Sequence, residues 1–152
     1  VDLLGLPPSI RLFTIGRLDK DTEGLLLITN DGNFAHRLMH PSFETEKEYL
    51  AKVDKELSHE HLAALSEGCF VEGSFVRPTK VQKVRKGTVR ISVVDGKKHE
   101  IRELVQHAGG TVLTLRRIRI GALLLGNLAI GDSYELTEET VKKLFPNAFI
   151  DS

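Results

Sequence analysis

"GRLDKDTEGLLLITNDG", residues Gly16 to Gly32, sets four acids, Asp19, Asp21, Glu23 and Asp31, around an aliphatic run that begins at Leu25. A carboxylate beside the opening of a buried strand is costly unless something pairs with it. Either one of these acids is chemically employed or all four are turn and surface residues. Asp21 and Thr22 suit a turn, because short polar side chains bond their own backbone there, and Gly24 lets the chain bend. Glu23 reads as solvated. Asp19 stands near Arg17 and Lys20, so a surface salt bridge is its plain explanation and catalysis the alternative.

Outward from this stretch, Leu12–Ile15 and Leu25–Thr29 read as short strands, the second continuous enough to be buried on both faces. "NFAHRLMH" spaces Phe34, Leu38 and Met39 as a helix does, until Pro41 stops it. "EKEYLAKV" alternates as a strand with Tyr49, Ala51 and Val53 on one face. "SHEHLAALSEG" is a helix, with Ser58 as its cap and Gly68 as its stop. Residues 76–95 form two alternating runs joined at Lys86-Gly87, a hairpin. "KHEIRELVQHAGG" is a helix that buries Ile101, Leu104 and Val105. "TVLTLRRIRIG" is a long strand, "LLLGNLAIGDSYEL" holds two shorter ones, and "TEETVKKLF" closes as a helix capped by Thr137. The sum is an α+β domain with a mixed, largely antiparallel sheet flanked by helices.

A chain of 152 residues is long enough for one domain with a real core. Its ordinary apolar and charged fractions exclude disorder, and no apolar run approaches the roughly 18 residues of a membrane-spanning helix. No signal peptide is visible. The single cysteine, Cys69, cannot form an internal disulfide, which fits a reducing cytoplasm. Basic and acidic residues balance at 21 each, so composition alone announces no nucleic-acid partner. Their distribution says more: Lys80, Lys83, Arg85, Lys86, Arg90, Lys97 and Lys98 cluster mid-chain, followed by Arg116, Arg117 and Arg119, while acids gather elsewhere. A polarised surface is one outcome and ordinary solvated strands the other. The opening "VDLLGLPPS" lacks an initiator Met, as a fragment of a longer chain would.

Two further residues invite a chemical role. In "KHEIRELV", Arg102 lies one helical turn from His99 and from Gln106. Such an Arg usually snorkels to solvent; aimed into a cleft, it would pair with a carboxylate and keep it ionised, which suits a nucleophile. Tyr49, in a chain without Trp, is either a core residue with a satisfied hydroxyl or a platform on which an extruded base stacks.

Taken in order, "GRLDKDTEGLLLITNDG", "HRLMHP", "KEY", "VDGKKHEIRELV" and "LRRIRIG" resemble the RsuA/RluB-type ribosomal RNA pseudouridine synthases, from about Leu12 to Leu144. The resemblance implies that residues 1–152 are the catalytic domain, without the N-terminal RNA-binding domain and first strand that such relatives carry. It implies an isomerase acting on ribosomal RNA, cytoplasmic and monomeric, with no membrane, metal or small-molecule cofactor. It places the catalytic aspartate at Asp19, the base-stacking tyrosine at Tyr49 and the arginine that pairs with the carboxylate at Arg102. RNA contacts follow at Arg17, Lys47, Lys80, Lys83, Arg85, Lys86, Arg116 and Arg117, with the lysine-rich stretch beside the cleft. Glu103 departs from the many relatives that carry a second basic residue there, which reduces phosphate contact at that edge. The competing assignment is a non-catalytic RNA-binding or ribosome-assembly factor on the same fold. Glycoside hydrolysis by Asp19 and Asp21 has little support, since two acids beside a turn have no defined separation.

Overall fold

The computed structural model describes residues 12–15, 18–39, 45–94 and 99–146. Its centre is β9 (Val112–Ile120), which runs antiparallel to β4 (Lys47–Val53) along one edge. Beyond β4 lie β8 (Thr88–Val93) and then β7 (Lys80–Arg85), joined to each other by the Lys86-Gly87 turn. The other edge of β9 takes β2 (Thr22–Gly24) in parallel and then β10 (Leu123–Leu124) antiparallel. Two small sheets stand apart: β1 (Phe13–Ile15) with β3 (Leu27–Thr29), and the hairpin of β5 (Cys69–Val71) and β6 (Ser74–Val76). The helices are α1 (Gly32–Met39), α2 (His59–Glu67), α3 (Glu100–His107) and α4 (Glu138–Leu144). This is the expected α+β fold with a largely antiparallel sheet.

Apolar residues at every second strand position share one face, and that periodicity builds the main core. Val89, Ile91 and Val93 of β8 and Ala51 and Val53 of β4 are buried with Leu115 of β9 under Ile101, Leu104 and Val105 of α3. A second core joins Ile15, Leu25 and Leu27 to Phe34, Ala35 and Leu38 of α1, with Ile120, Leu123 and Phe145. Phe34 and Phe145 meet edge-on there, at 6.1 Å between ring centroids. On β9, Leu115 belongs to the first core and Ile120 to the second. Arg117 lies between them and is only 1% exposed.

Ser58 caps α2 and Thr137 caps α4 as expected, each side chain accepting a backbone N–H three residues on. Three expectations change. The run Leu25–Thr29 is not one strand buried on both faces. Gly24 ends β2, which belongs to the large sheet; only residues 27–29 form β3, in a different sheet, and Leu26 faces solvent. Residues 128–136 form no strand, because Gly126 and Gly131 adopt positive φ and close successive turns instead. The β5–β6 hairpin was not anticipated; Glu72 and Gly73, both at positive φ, make the tight turn whose twist suits a two-residue hairpin.

Gly24 has a specific reason to be glycine. At φ +123°, a Cβ would stand 2.3 Å from the Arg117 carbonyl oxygen. Gly73 also has positive φ (+79°), yet a Cβ there meets nothing within 4 Å. Backbone strain alone costs about 1–3 kcal/mol, and forced overpacking adds about 1–3 more. The strain is common to both positions, so Gly24→Ala should lower stability to chemical denaturation by about 1–3 kcal/mol more than Gly73→Ala, and equal losses would show that the β2–β9 contact is not tight.

Candidate active site

The acids of residues 16–32 divide their work. Asp31 caps α1, its Oδ1 accepting the backbone N–H of Asn33 at 3.0 Å and of Phe34 at 3.1 Å. Glu23 of β2 faces Arg116, its register partner on β9, and its Oε1 accepts from both Nε (2.9 Å) and Nη2 (2.7 Å). Asp19 and Asp21 belong to a tight turn closed by the Thr22 N–H donating to the Asp19 carbonyl at 3.0 Å. Arg102, on the first turn of α3, donates from Nη2 to the Asp21 carbonyl at 2.8 Å. The turn that presents the Asp19 side chain is thus held by β9 through β2 and by α3 through Arg102.

The Asp19 carboxylate meets His99, whose Nδ1 stands 3.2 Å from Oδ2. His99 is the residue before α3, in a left-handed conformation at φ 57° and ψ 24°, and its side chain makes no capping bond to the helix. Arg102, the arginine expected to pair with the carboxylate, lies one turn further along α3, and its guanidinium is engaged with the backbone of the same turn instead.

Tyr49 pairs with Arg117 across β4 and β9, and the Arg117 guanidinium favours the ionised phenol. Arg117 also donates from Nε to the Leu25 carbonyl at 2.8 Å, while the Leu25 N–H donates to the Arg117 carbonyl at 2.9 Å. A buried guanidinium needs such partners. Burial pushes the Tyr49 phenol above its ordinary value; Arg117 opposes this, and the charges of Glu100 and Asp19 reinforce it. Glu100, 5% exposed at the start of α3, was not anticipated from spacing.

The expected RNA contacts are scattered. Arg17 lies outside the described residues, as do Lys97 and Lys98. Lys47 is half-buried and shares the face of β4 that carries Tyr49. Arg117 is corrected from a phosphate contact to a buried structural cation. Arg116 pairs with Leu50 in the sheet and so points to the face opposite Tyr49, where Glu23 holds it. Arg119 joins Glu46 and Glu48 on that same face; hydrogen bonds from Thr79 and Arg119 hold the Glu46 carboxyl below its ordinary value. The arginines of β9 are therefore paired internally and do not form a free basic surface. Lys80, Lys83, Arg85 and Lys86 are exposed on the edge strand β7 and its turn, with Lys83 paired to Glu56 at 3.4 Å. They are not beside Asp19: β7 and β2 stand four strand spacings apart, roughly 19 Å at about 4.8 Å each. Lysines on an edge strand also discourage edge-to-edge pairing with other chains.

The family model described as RNA pseudouridylate synthase matches residues 6–107. An RNA pseudouridine synthase of Aquifex aeolicus is 44% identical over 138 residues, covering 90% of this chain and 58% of that protein. Ribosomal large subunit pseudouridine synthase B of Bacillus subtilis is 38% identical over 140 residues, covering 88% of this chain and 57% of that protein. The chain thus spans little more than half the length of these two relatives. A crystal structure of a pseudouridylate synthase shares the fold with a TM-score of 0.84 at 29% identity, covering 93% of this chain and 64% of that one.

The surroundings of Tyr49 predict an alkaline titration. Followed by phenolate absorbance, Tyr49 should ionise above the ordinary tyrosine value of about 10, with Tyr49→Phe identifying the transition by removing it. Asp19→Asn should lower that transition and Arg117→Met raise it, because the first removes a negative neighbour and the second a positive one. Shifts of the opposite sign would mean that the phenol does not face these groups.

Proposed function

The chain belongs to the RNA pseudouridylate synthase family, and on that premise we propose that it isomerises one uridine of ribosomal RNA to pseudouridine, with Asp19 as the catalytic carboxylate. The observation that carries this proposal is convergence. Asp19 from a turn, Tyr49 from β4 and Arg102 from α3, far apart in the chain, gather where the two cores meet on β9. A binding module needs no such gathering of a carboxylate, a phenol and a guanidinium.

In the reaction, the N1–C1′ bond of the nucleotide breaks and a C5–C1′ bond forms on the same base. The C5 hydrogen leaves and N1 gains a proton, so the change is redox-neutral. The target uridine must leave its stack to be reached, and Tyr49 offers it a ring face, with Arg117 its partner across the sheet. Asp19, 30% exposed by side chain, is open to the incoming nucleotide. Its carboxylate can attack the sugar, add to the base or help remove a sugar proton. Arg102 keeps the turn in place through the Asp21 carbonyl. The protein works in this proposal as a monomer in the cytoplasm.

Lys80, Lys83, Arg85 and Lys86 hold RNA phosphates at a distance from the reacting base. Such contacts position the nucleic acid without reading its sequence.

Two measurements test this. Tritium release from a ribosomal RNA transcript labelled at uridine C5 should fall at least about a thousandfold in Asp19→Asn, with thermal stability changed by no more than about 0.5 kcal/mol. Pseudouridine formation at the normal rate in that variant would remove Asp19 from the mechanism. Replacing the four cations of β7 and its turn by Gln should weaken binding alike for every RNA. The slope of log K against log salt should shrink by roughly 3, at about 0.7–0.9 per lost phosphate contact. An unchanged slope would leave these residues as edge protection only.

A further inference from the structure

We propose that His99 is a positioning residue for the Asp19 carboxylate, sharing the Asp19–Thr22 turn with Arg102: the imidazole takes the side chain of Asp19 and the guanidinium takes the carbonyl of Asp21. The inference rests on the assignment of Asp19 as the catalytic carboxylate.

Three observations carry it. Nδ1 of His99 stands 3.2 Å from Oδ2 of Asp19, and a carboxylate offers only acceptor oxygens to it. The His99 backbone is left-handed, φ 57°, a conformation that strains residues other than glycine and is tolerated best by Asn, Asp and His. Among the described residues the His99 side chain makes no cap to α3, and it is 46% exposed. An ion pair at such exposure adds little stability. Strain at a residue touching the proposed catalytic group points to the site. Arg102 donates from Nη2 to the Asp21 carbonyl. The contact to the Asp19 side chain is made by the imidazole. The left-handed turn before α3 serves this geometry: it carries the His99 side chain off the helix and toward the turn.

The test has a readout that does not depend on turnover. In long-range proton–nitrogen spectra of the full chain, the ring nitrogens of His99 are assigned by their loss in His99→Asn. Asp19→Asn should shift those resonances and leave the other histidines in place; ring nitrogens that do not move would overturn the proposal, even if Asp19 proves essential for activity. Kinetics separates the side chain from the backbone. His99→Gly keeps the left-handed conformation without strain but removes the imidazole. It should lower kcat roughly ten- to hundredfold through misplacement of the carboxylate, with KM for a ribosomal RNA transcript unchanged. His99→Asn tolerates the same backbone and sets an amide nitrogen where Nδ1 stands, so it should restore most of the rate. His99→Gly at the wild-type rate, or His99→Asn no better than His99→Gly, would overturn the proposal.

Discussion

Arg117 is the cation around which the two halves of the molecule close. It sits on the central strand between Leu115 of one core and Ile120 of the other, buried to 1% exposure. A guanidinium there would be prohibitive without partners, and its partners come from both sides. The Leu25 carbonyl lies in the second core, and the Tyr49 phenol packs against the first. The same residue receives the Leu25 N–H on its own carbonyl, and the Gly24 backbone presses against it. These contacts fix where β2 ends and where the chain crosses from the large sheet to the small one.

That constraint sets the position of the proposed chemistry. The Asp19 turn leads directly into β2, whose register on β9 is Thr22 to Leu115, Glu23 to Arg116 and Gly24 to Arg117. A shift of one residue would move Glu23 from its partner on the far face and point Thr22 the other way. Tyr49 is tied to the same β9 position from the opposite side. The carboxylate turn and the phenol are therefore indexed to a single residue. Helix α3 closes the arrangement, packing Ile101, Leu104 and Val105 into the main core while His99 and Arg102 reach the turn.

Charge is organised by pairing across strands and less by patches. The basic run "LRRIRIG" reads as an electropositive strand, yet Arg116 meets Glu23, Arg119 meets Glu46 and Glu48, and Arg117 is interior. Alternation carried a clue. Arg117 keeps step with Leu115, and a residue two positions from a core leucine on a strand faces the same way. The register shift between Glu48 and Tyr49 on β4 then sets Arg119 beside Glu48, a displacement that no periodicity foretells.

Local patterns alone determined much of this protein. Helix caps at Ser58 and Thr137, the stripe of Ile101, Leu104 and Val105, the Lys86-Gly87 turn and the long strand from Val112 all depend on neighbours within a few residues. The same is true of the acid-rich turn, whose residue types are those a tight bend requires. The comparisons bear out the family implied by the resemblance of the sequence motifs. Tertiary structure decided what depends on partners distant in the chain. The pairing of His99 with Asp19, of Arg102 with the Asp21 carbonyl and of Arg117 with Leu25 joins segments about 80 to 90 residues apart. So does the separation of the β7 lysines from the site, which is a matter of strand order. A side chain's charge is written in the sequence, but what neutralises it is set only when the sheet chooses its register.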